Sequence, residues 1–314
     1  MAGLQALGIE IEVLATDPIG NVDVEVTPHF MSGDVSIDVG LAGTVMRFLP
    51  PVAALSHGNV TFDGDIQARQ RPMATIIESL KELGVTVHDR GTGRMPFMLS
   101  ATGEVRGGEV TVDASRSSQF ISGLLLAAAR FDTGVTIHHV GPPVPSMPHI
   151  RMTEQMLAER GVVVHHQGDW VWHVDPHDLQ AIDCQIEPDL SNAAPFLAAA
   201  MACGGRVRVL DWPRHTTQAG DYLRELLSRM GASIEIDDDG LVLTSDGAIA
   251  GLDADLADVG ELTPTLASLA ALASGPSHLR GIAHLRHHET DRLAALESEL
   301  TRVGCSVKQT DDHL

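Results

Sequence analysis

Two arginines occupy the same place in two distant stretches. Arg71 in "GDIQARQRPMATIIESL" lies 13 residues before Gly84, and Arg292 in "HETDRLAAL" lies 12 before Gly304. Each therefore stands at a helix start, Arg71 just ahead of Pro72, a residue favoured in first turns. A guanidinium there can grip a carboxylate or phosphate through two parallel hydrogen bonds, which an ammonium cannot match. Taken singly, either arginine is as readily a surface salt-bridge former; the shared phase argues for a shared task. Two carboxylates stand at comparable points: Glu261 opens "ELTPTLASLAALA" and Glu289 opens "ETDRLAAL". Acidic residues in first turns usually just complement the helix dipole, yet close to arginines they can exchange protons in acid–base work. The "SSQF" at 117–120 brings two hydroxyls and an amide to a further helix start, where they fit an N-cap pair as well as a phosphate cradle. Ser146, ahead of "MPHIRM" in a proline-rich turn, is a candidate of the same kind.

The elements that must position these groups repeat along the chain. "LQALGIEIEV", "LKELGVTVHD", "LAERGVVVHH" and "LSRMGASIEI" each read as the end of a helix, a glycine and a strand, and "LESELTRVG" ends in the same way. The glycines are Gly8, Gly84, Gly161, Gly231 and Gly304, spaced 76, 77, 70 and 73 residues apart. A second element keeps step: the Ala/Leu-rich stretches "LAGTVMRFLPPVAAL", "SSQFISGLLLAAAR", "SNAAPFLAAAMA" and "ELTPTLASLAALA", each leading into a short strand. The repeating unit is thus helix, strand, helix, strand or strands, about seventy residues long. The Ala-rich helices have little polar face and should be buried at domain centres. Opened by Gly, Ser, Asn or Thr, they would aim free backbone N–H groups and positive dipole ends at a common region, which favours anions. A composition shift near "IEPDLSNAAPF" marks a domain boundary, with Pro188 breaking a preceding strand and Asp189 or Ser191 capping the next helix. The first domain is then 1–186 and the second 187–314.

Composition sets the outer bounds. With 314 residues, 44% of them hydrophobic, the chain can bury a sizeable core. A formal net charge of −21 argues against nucleic acid or an anionic membrane as a bulk partner, though not against a local cationic pocket. Cys184, Cys203 and Cys305 form no CxxC pair and read as reduced packing residues of an intracellular protein. No apolar run approaches the roughly 20 residues of a membrane span, and the start lacks a signal peptide, so a cytoplasmic protein is expected. The histidine pairs at 138–139, 165–166 and 287–288 are not backed by an HExxH or Cys/His cluster, so no metal is expected. Absence of GxGxxG, Walker and GxSxG motifs argues against nucleotide binding and triad hydrolysis.

Together, "GLAGTVMRF", "GDIQARQRPM", "DASRSSQFISGLLLAA" and "HETDRLAAL" resemble the 5-enolpyruvylshikimate-3-phosphate synthases (3-phosphoshikimate 1-carboxyvinyltransferases), over essentially the whole chain and in family order. The resemblance implies an α/β fold of two domains built from repeated βαβαββ units, with buried central helices aimed at an interdomain cleft. It implies transfer of the enolpyruvyl group of phosphoenolpyruvate to the 5-hydroxyl of shikimate 3-phosphate, without cofactor, in aromatic amino acid biosynthesis. Carried over by position, Glu261 would accept the 5-hydroxyl proton and Glu289 would help protonate the methylene carbon. Gly43, Arg71, Gln119 and Arg292 would hold phosphoenolpyruvate. Ser117, Ser118, Gln119, Ser146, Glu261 and His288 would bind shikimate 3-phosphate, which assigns that ligand to the first domain. His288 stands where many relatives have lysine, and His284 where many have asparagine. The expected partners are these two small molecules, with no nucleic acid or membrane and a monomeric chain. Neither a "GSKS"-like segment nor a "DHRMA" stretch is found. These supply cations in the family, so the chain is expected to be trimmed at both ends, incomplete in each domain and poor in turnover. Two other readings stay open: an inactive fragment or pseudoenzyme, and the sister transferase acting on UDP-N-acetylglucosamine. The latter uses a loop cysteine, and none of the three cysteines here sits in a Gly/Pro loop.

Overall fold

The computed structural model describes residues 1–29, 33–288 and 290–314. Helix α1 (Ala2–Ala6) and the hairpin β1 (Glu10–Thr16)–β2 (Val22–Thr27) open the chain. A βαβαββ copy follows: β3 (Val35–Asp38), α2 (Gly43–Ala53), β4 (His57–Asp63), α3 (Ala74–Glu82), β5 (Thr86–His88) and β6 (Phe97–Thr102). The next is β7 (Gly108–Val112), α4 (Gln119–Ala128), β8 (Val135–His139), α5 (Met147–Glu159), β9 (Val164–His166) and β10 (Val171–Val174). Their sheets share one topology, β3-β4-β6-β5 and β7-β8-β10-β9, with the first pair parallel and the other pairs antiparallel. Later come α6 (Leu190–Cys203), β11 (Gly205–Leu210), α7 (Leu223–Arg229), β12 (Ser233–Asp237) and β13 (Gly240–Ser245), whose sheet order is β11-β13-β12. The last described elements are β14 (Asp253–Asp255), α8 (Thr263–Ala270), β15 (His278–Arg280), parallel to β14, and α9 (Arg292–Arg302).

The repeated glycines do one job. Gly8, Gly84, Gly161, Gly231 and Gly304 all have φ between 84° and 109°, where an L side chain is strained. Each donates its N–H three residues back, and the following residue bonds the carbonyl of Leu4, Leu80, Leu157, Leu227 or Leu300. This is the Schellman pattern, which satisfies the last carbonyls of a helix and turns the chain sharply. The leucine five residues before the bonding N–H recurs in all five copies, so the periodicity and the cap are one signal.

Two compact units are present. One comprises Met1–Ala114, Gln119–Pro142 and Thr153–Ala181; the other comprises Ser115–Ser118, Pro143–Met152 and Ile182–Leu314. In the first, Phe62 stacks on Phe97 at 5.2 Å, among fully buried Met46, Ile76, Leu80 and Leu124. The second packs Leu190, Leu197, Leu227, Leu241, Leu266, Leu285 and Leu293 into one core.

Three local expectations change. No strand occurs in residues 175–189 ahead of α6. Backbone groups there find other partners, His177 N–H bonding Ala129 C=O and Gln180 N–H bonding Arg160 C=O. Asp189 does cap α6, accepting from Asn192 N–H at 3.0 Å. Helix α4 is buried along almost its whole length, but α6 leaves Phe196 69% exposed, so its apolar composition is not matched by burial on every side. Cys184 and Cys203 are exposed rather than packed. Among the described residues no helix is long and apolar enough to cross a membrane.

Candidate active site

The first unit gathers three of the residues expected to hold phosphoenolpyruvate. Gly43 is the first residue of α2, Gln119 is the first of α4, and Arg71 follows a short 3-10 turn at Ala68–Gln70. A Cβ placed on Gly43 would lie 3.0 Å from Arg71 Nη2 and 3.3 Å from Gln119 Oε1, so the three meet at one point. The missing side chain leaves the helix-start backbone open beside a guanidinium, which suits a small anion. Arg71 is 7% exposed, and its Nη1 donates to Leu41 C=O at 3.0 Å.

A fourth group joins them that the sequence did not single out. Arg47, one turn into α2, is 4% exposed, donates Nη1 to Gln119 Oε1 at 2.8 Å and lies over the Phe120 ring at 4.9 Å. Arg47 therefore fixes the Gln119 amide, whose oxygen accepts from it. Gly123, one turn along α4, makes this reach possible. A Cβ there would strike the Arg47 carbonyl, so a larger residue would hold the two helices apart.

Neighbouring loop structure supports Arg71 from behind. Met73 N–H bonds Gly93 C=O at 3.1 Å and Arg94 Nη1 bonds Gln70 C=O at 2.9 Å, tying the 89–94 loop to the segment carrying Arg71. That loop is organised by Asp89, which accepts from Gly93 N–H at 2.9 Å and Lys81 Nζ at 3.0 Å. The Gly93 N–H and the Lys81 ammonium hold the Asp89 carboxyl at about 2 against the opposing pull of burial.

The second unit gathers groups suited to proton transfer. Glu261 sits half-buried in a 3-10 turn at Gly260–Leu262, ahead of α8. His149, in the first turn of α5, places Nε2 3.2 Å from Glu261 Oε1. The α5 start is fastened to the same loop: Ser146 N–H bonds Ala257 C=O at 2.9 Å and Met147 N–H bonds Asp258 Oδ1 at 3.3 Å. Ser146 adopts a left-handed φ of 55°, uncommon for a non-glycine residue. His284 is buried against Gly260, where a Cβ would collide with His284 Nε2, and its ring lies 5.8 Å from that of His288. Burial holds His284 below the usual histidine range, although Glu261 and Asp312 pull it upward. Ser118 is buried and Ser117 half-buried, both just ahead of α4.

The charge that crowds the start of α9 divides into two tasks. Arg286 pairs with Asp291 at 2.9 Å and donates to Gln309 Oε1 at 2.8 Å, pinning the segment that follows α9. Asp291 is the N-cap, accepting from Ala294 N–H at 3.0 Å. Burial pushes the Asp291 carboxyl up, but the Ala294 N–H and Arg286 outweigh it and hold it below the usual range. Arg292, the first helical residue, is left half-buried at the helix start. Glu289, expected to take part in catalysis, lies outside the described residues. Among the described residues no group of three His, Cys, Asp or Glu side chains is arranged to hold a metal ion.

The model of the EPSP synthase (3-phosphoshikimate 1-carboxyvinyltransferase) family matches residues 1–314. The chain belongs to that family. It is accordingly an enzyme, a transferase of the shikimate pathway. A 3-phosphoshikimate 1-carboxyvinyltransferase of Kocuria rhizophila is 50% identical over 319 aligned positions, spanning 100% of this chain and 72% of that relative. An EPSP synthase structure from Acinetobacter baumannii superposes with a TM-score of 0.73 at 23% identity, covering 99% of this chain and 71% of the other. The enolpyruvyl transferase NikO from Streptomyces tendae gives 0.61 at 16% identity, covering 88% and 64%. These two likenesses establish the fold: the two-domain α/β architecture of enolpyruvyl transferases, built from repeated βαβαββ copies.

Proposed function

We propose that this EPSP synthase-family chain transfers the enolpyruvyl group of phosphoenolpyruvate to the 5-hydroxyl of shikimate 3-phosphate, releasing phosphate. The family match over residues 1–314 carries the reading. The meeting of Gly43, Arg71 and Gln119 supports the assignment of an anion site to the first unit. The 5-hydroxyl oxygen attacks C2 of phosphoenolpyruvate while a proton adds to C3, giving a tetrahedral adduct. Glu261 takes the hydroxyl proton, and Glu289 delivers the proton to C3. Phosphate then leaves C2 with the bonding electrons, and loss of a proton from C3 restores the double bond. Arg71 and Arg292 bind the anionic groups of phosphoenolpyruvate, with Gly43 leaving room for it and Gln119 touching both ligands. Arg47 holds Gln119 in place. Ser117, Ser118, Ser146 and His288 bind shikimate 3-phosphate through hydroxyl and imidazole donors. The steps need acid–base groups and positive charge, all of which side chains supply, and no organic cofactor.

By repeat copies the two domains are residues 1–186 and 187–314. The working form is a cytoplasmic monomer, to be checked by light scattering on the purified enzyme. The reaction itself is tested by following phosphate release with each substrate omitted in turn. Release should require both phosphoenolpyruvate and shikimate 3-phosphate. Glu261→Gln should lower kcat by roughly 10²–10⁴-fold with a much smaller change in KM, as expected on losing a positioned base. Phosphate release that is indifferent to shikimate 3-phosphate would refute the assignment.

A further inference from the structure

Glu261 is not alone at its turn, and its partner comes from far away in sequence. His149 lies 112 positions earlier, on α5, yet its Nε2 is 3.2 Å from Glu261 Oε1. The backbone around His149 is held firmly. Ser146 N–H bonds Ala257 C=O, Met147 N–H bonds Asp258 Oδ1, and His149 N–H bonds Ser146 C=O. Two of these three bonds end on the loop that leads into Glu261, so the imidazole and the carboxylate are carried by one fastened structure. On the other side, Gly260 admits the buried His284 ring close behind the turn. A carboxylate that merely complements a helix dipole needs no side-chain partner. Here one is supplied, by a strained serine and a dedicated helix start.

We propose that His149 is a positioning residue for Glu261. Its Nε2–H holds Oε1, which fixes the carboxylate rotamer and leaves Oε2 to take the proton of the attacking hydroxyl. The imidazole keeps its own proton throughout, so the proton count of the transfer is unchanged. This inference rests on the reading of Glu261 as proton acceptor, and the test separates the two.

Steady-state kinetics of Glu261→Gln, His149→Ala, His149→Gln, His149→Asn and the His149→Ala/Glu261→Gln double variant decide it. Glutamine reaches about as far as the imidazole Nε2, whereas asparagine does not. His149→Ala should lower kcat by about 10–100-fold with both KM values within about threefold, and His149→Gln should recover most of the loss. In the Glu261→Gln background, His149→Ala should add little, because the group it positions is gone. Should His149→Ala fail to fold, kcat of the glutamine variant well above that of the asparagine variant carries the same conclusion. Equal kcat in those two variants, wild-type kcat in His149→Ala, or a full additive loss in the double variant overturns the inference while leaving Glu261 as acceptor. Near-wild-type turnover in Glu261→Gln overturns both, and so marks the failure as belonging to the underlying reading.

Discussion

At Gly43 a single hydrogen atom stands where a methyl group would press on two functional side chains. The substituted Cβ would approach Arg71 Nη2 to 3.0 Å and Gln119 Oε1 to 3.3 Å, both tighter than ordinary contact. Arg71 is 7% exposed and bonded to Leu41 C=O, so its guanidinium has little freedom to retreat. Gly43→Ala should therefore raise KM for phosphoenolpyruvate by about tenfold, roughly 1.4 kcal/mol, while KM for shikimate 3-phosphate changes much less. An unchanged phosphoenolpyruvate KM in initial-rate measurements would remove Gly43 from the anion site. Gly43 and Gln119 were legible because each opens a helix in a recognisable motif. Arg71 was legible by its motif, although the structure sets it in extended backbone after the 3-10 turn, three residues ahead of α3, and not at the helix start. Arg47 was not legible. In "GTVMRFLPPVAAL" a lone arginine reads as the solvated face of an apolar helix, and only packing reveals it over the Phe120 ring with Nη1 on Gln119 Oε1. His149 was hidden for another reason: its contact with Glu261 spans 112 residues, beyond any local pattern.

Elements transmit position to these side chains, and Asp89 shows how. Its carboxyl, at about 2 against an ordinary 3.8, organises the loop that bonds the Arg71 segment through Gly93 and Arg94. A depressed folded-state value means that the unfolded chain binds the proton more readily. The stabilisation is thus fully present above about pH 4 and is lost as pH falls towards 2. At 1.36 kcal/mol per unit it amounts to about 2 kcal/mol. Asp89→Asn should lower unfolding free energy at pH 7 by about 1–2 kcal/mol, with the gap to the parent protein narrowing at pH 3 and closing further at pH 2. Urea unfolding at the three pH values checks this; a gap independent of pH would mean that the charge is not the source. The helix caps were readable in advance because a glycine ends each helix-like stretch at intervals of 70 to 77 residues; the left-handed φ and the leucine carbonyl it serves came from the structure. Burial of the Ala-rich helices was read less well. Composition describes what α6 could bury, but neighbouring elements decide what is covered, and Phe196 stays exposed. The strand expected before Pro188 failed similarly, since that backbone bonds loop and helix-end carbonyls, His177 N–H to Ala129 and Gln180 N–H to Arg160, in place of a neighbouring strand.

Across the whole molecule, one seventy-residue pattern accounts for most of what could be read without coordinates. Two full copies share a sheet order that differs only in strand numbers, so the period found in the glycines is the period of the fold. The net charge of −21 sits oddly with a pair of anionic substrates. Positive potential must then be local: in the first unit Arg71 supplies it beside Gly43 at the start of α2 and Arg47 one turn into that helix, and in the second Arg292 supplies it at the start of α9, where the helix dipole adds to it. On the proposed reading, these groups serve an addition–elimination on phosphoenolpyruvate. Running the reaction in D2O and following it by proton NMR tests this most directly. Addition at C3 creates a transient methyl group, and its later loss of a proton should leave solvent deuterium in the product methylene. New vinyl signals of an enolpyruvyl ether, partly deuterated, should appear with stoichiometric phosphate and only when both substrates are present. Phosphate formed without the ether, or an ether whose methylene remains fully protonated, would contradict it.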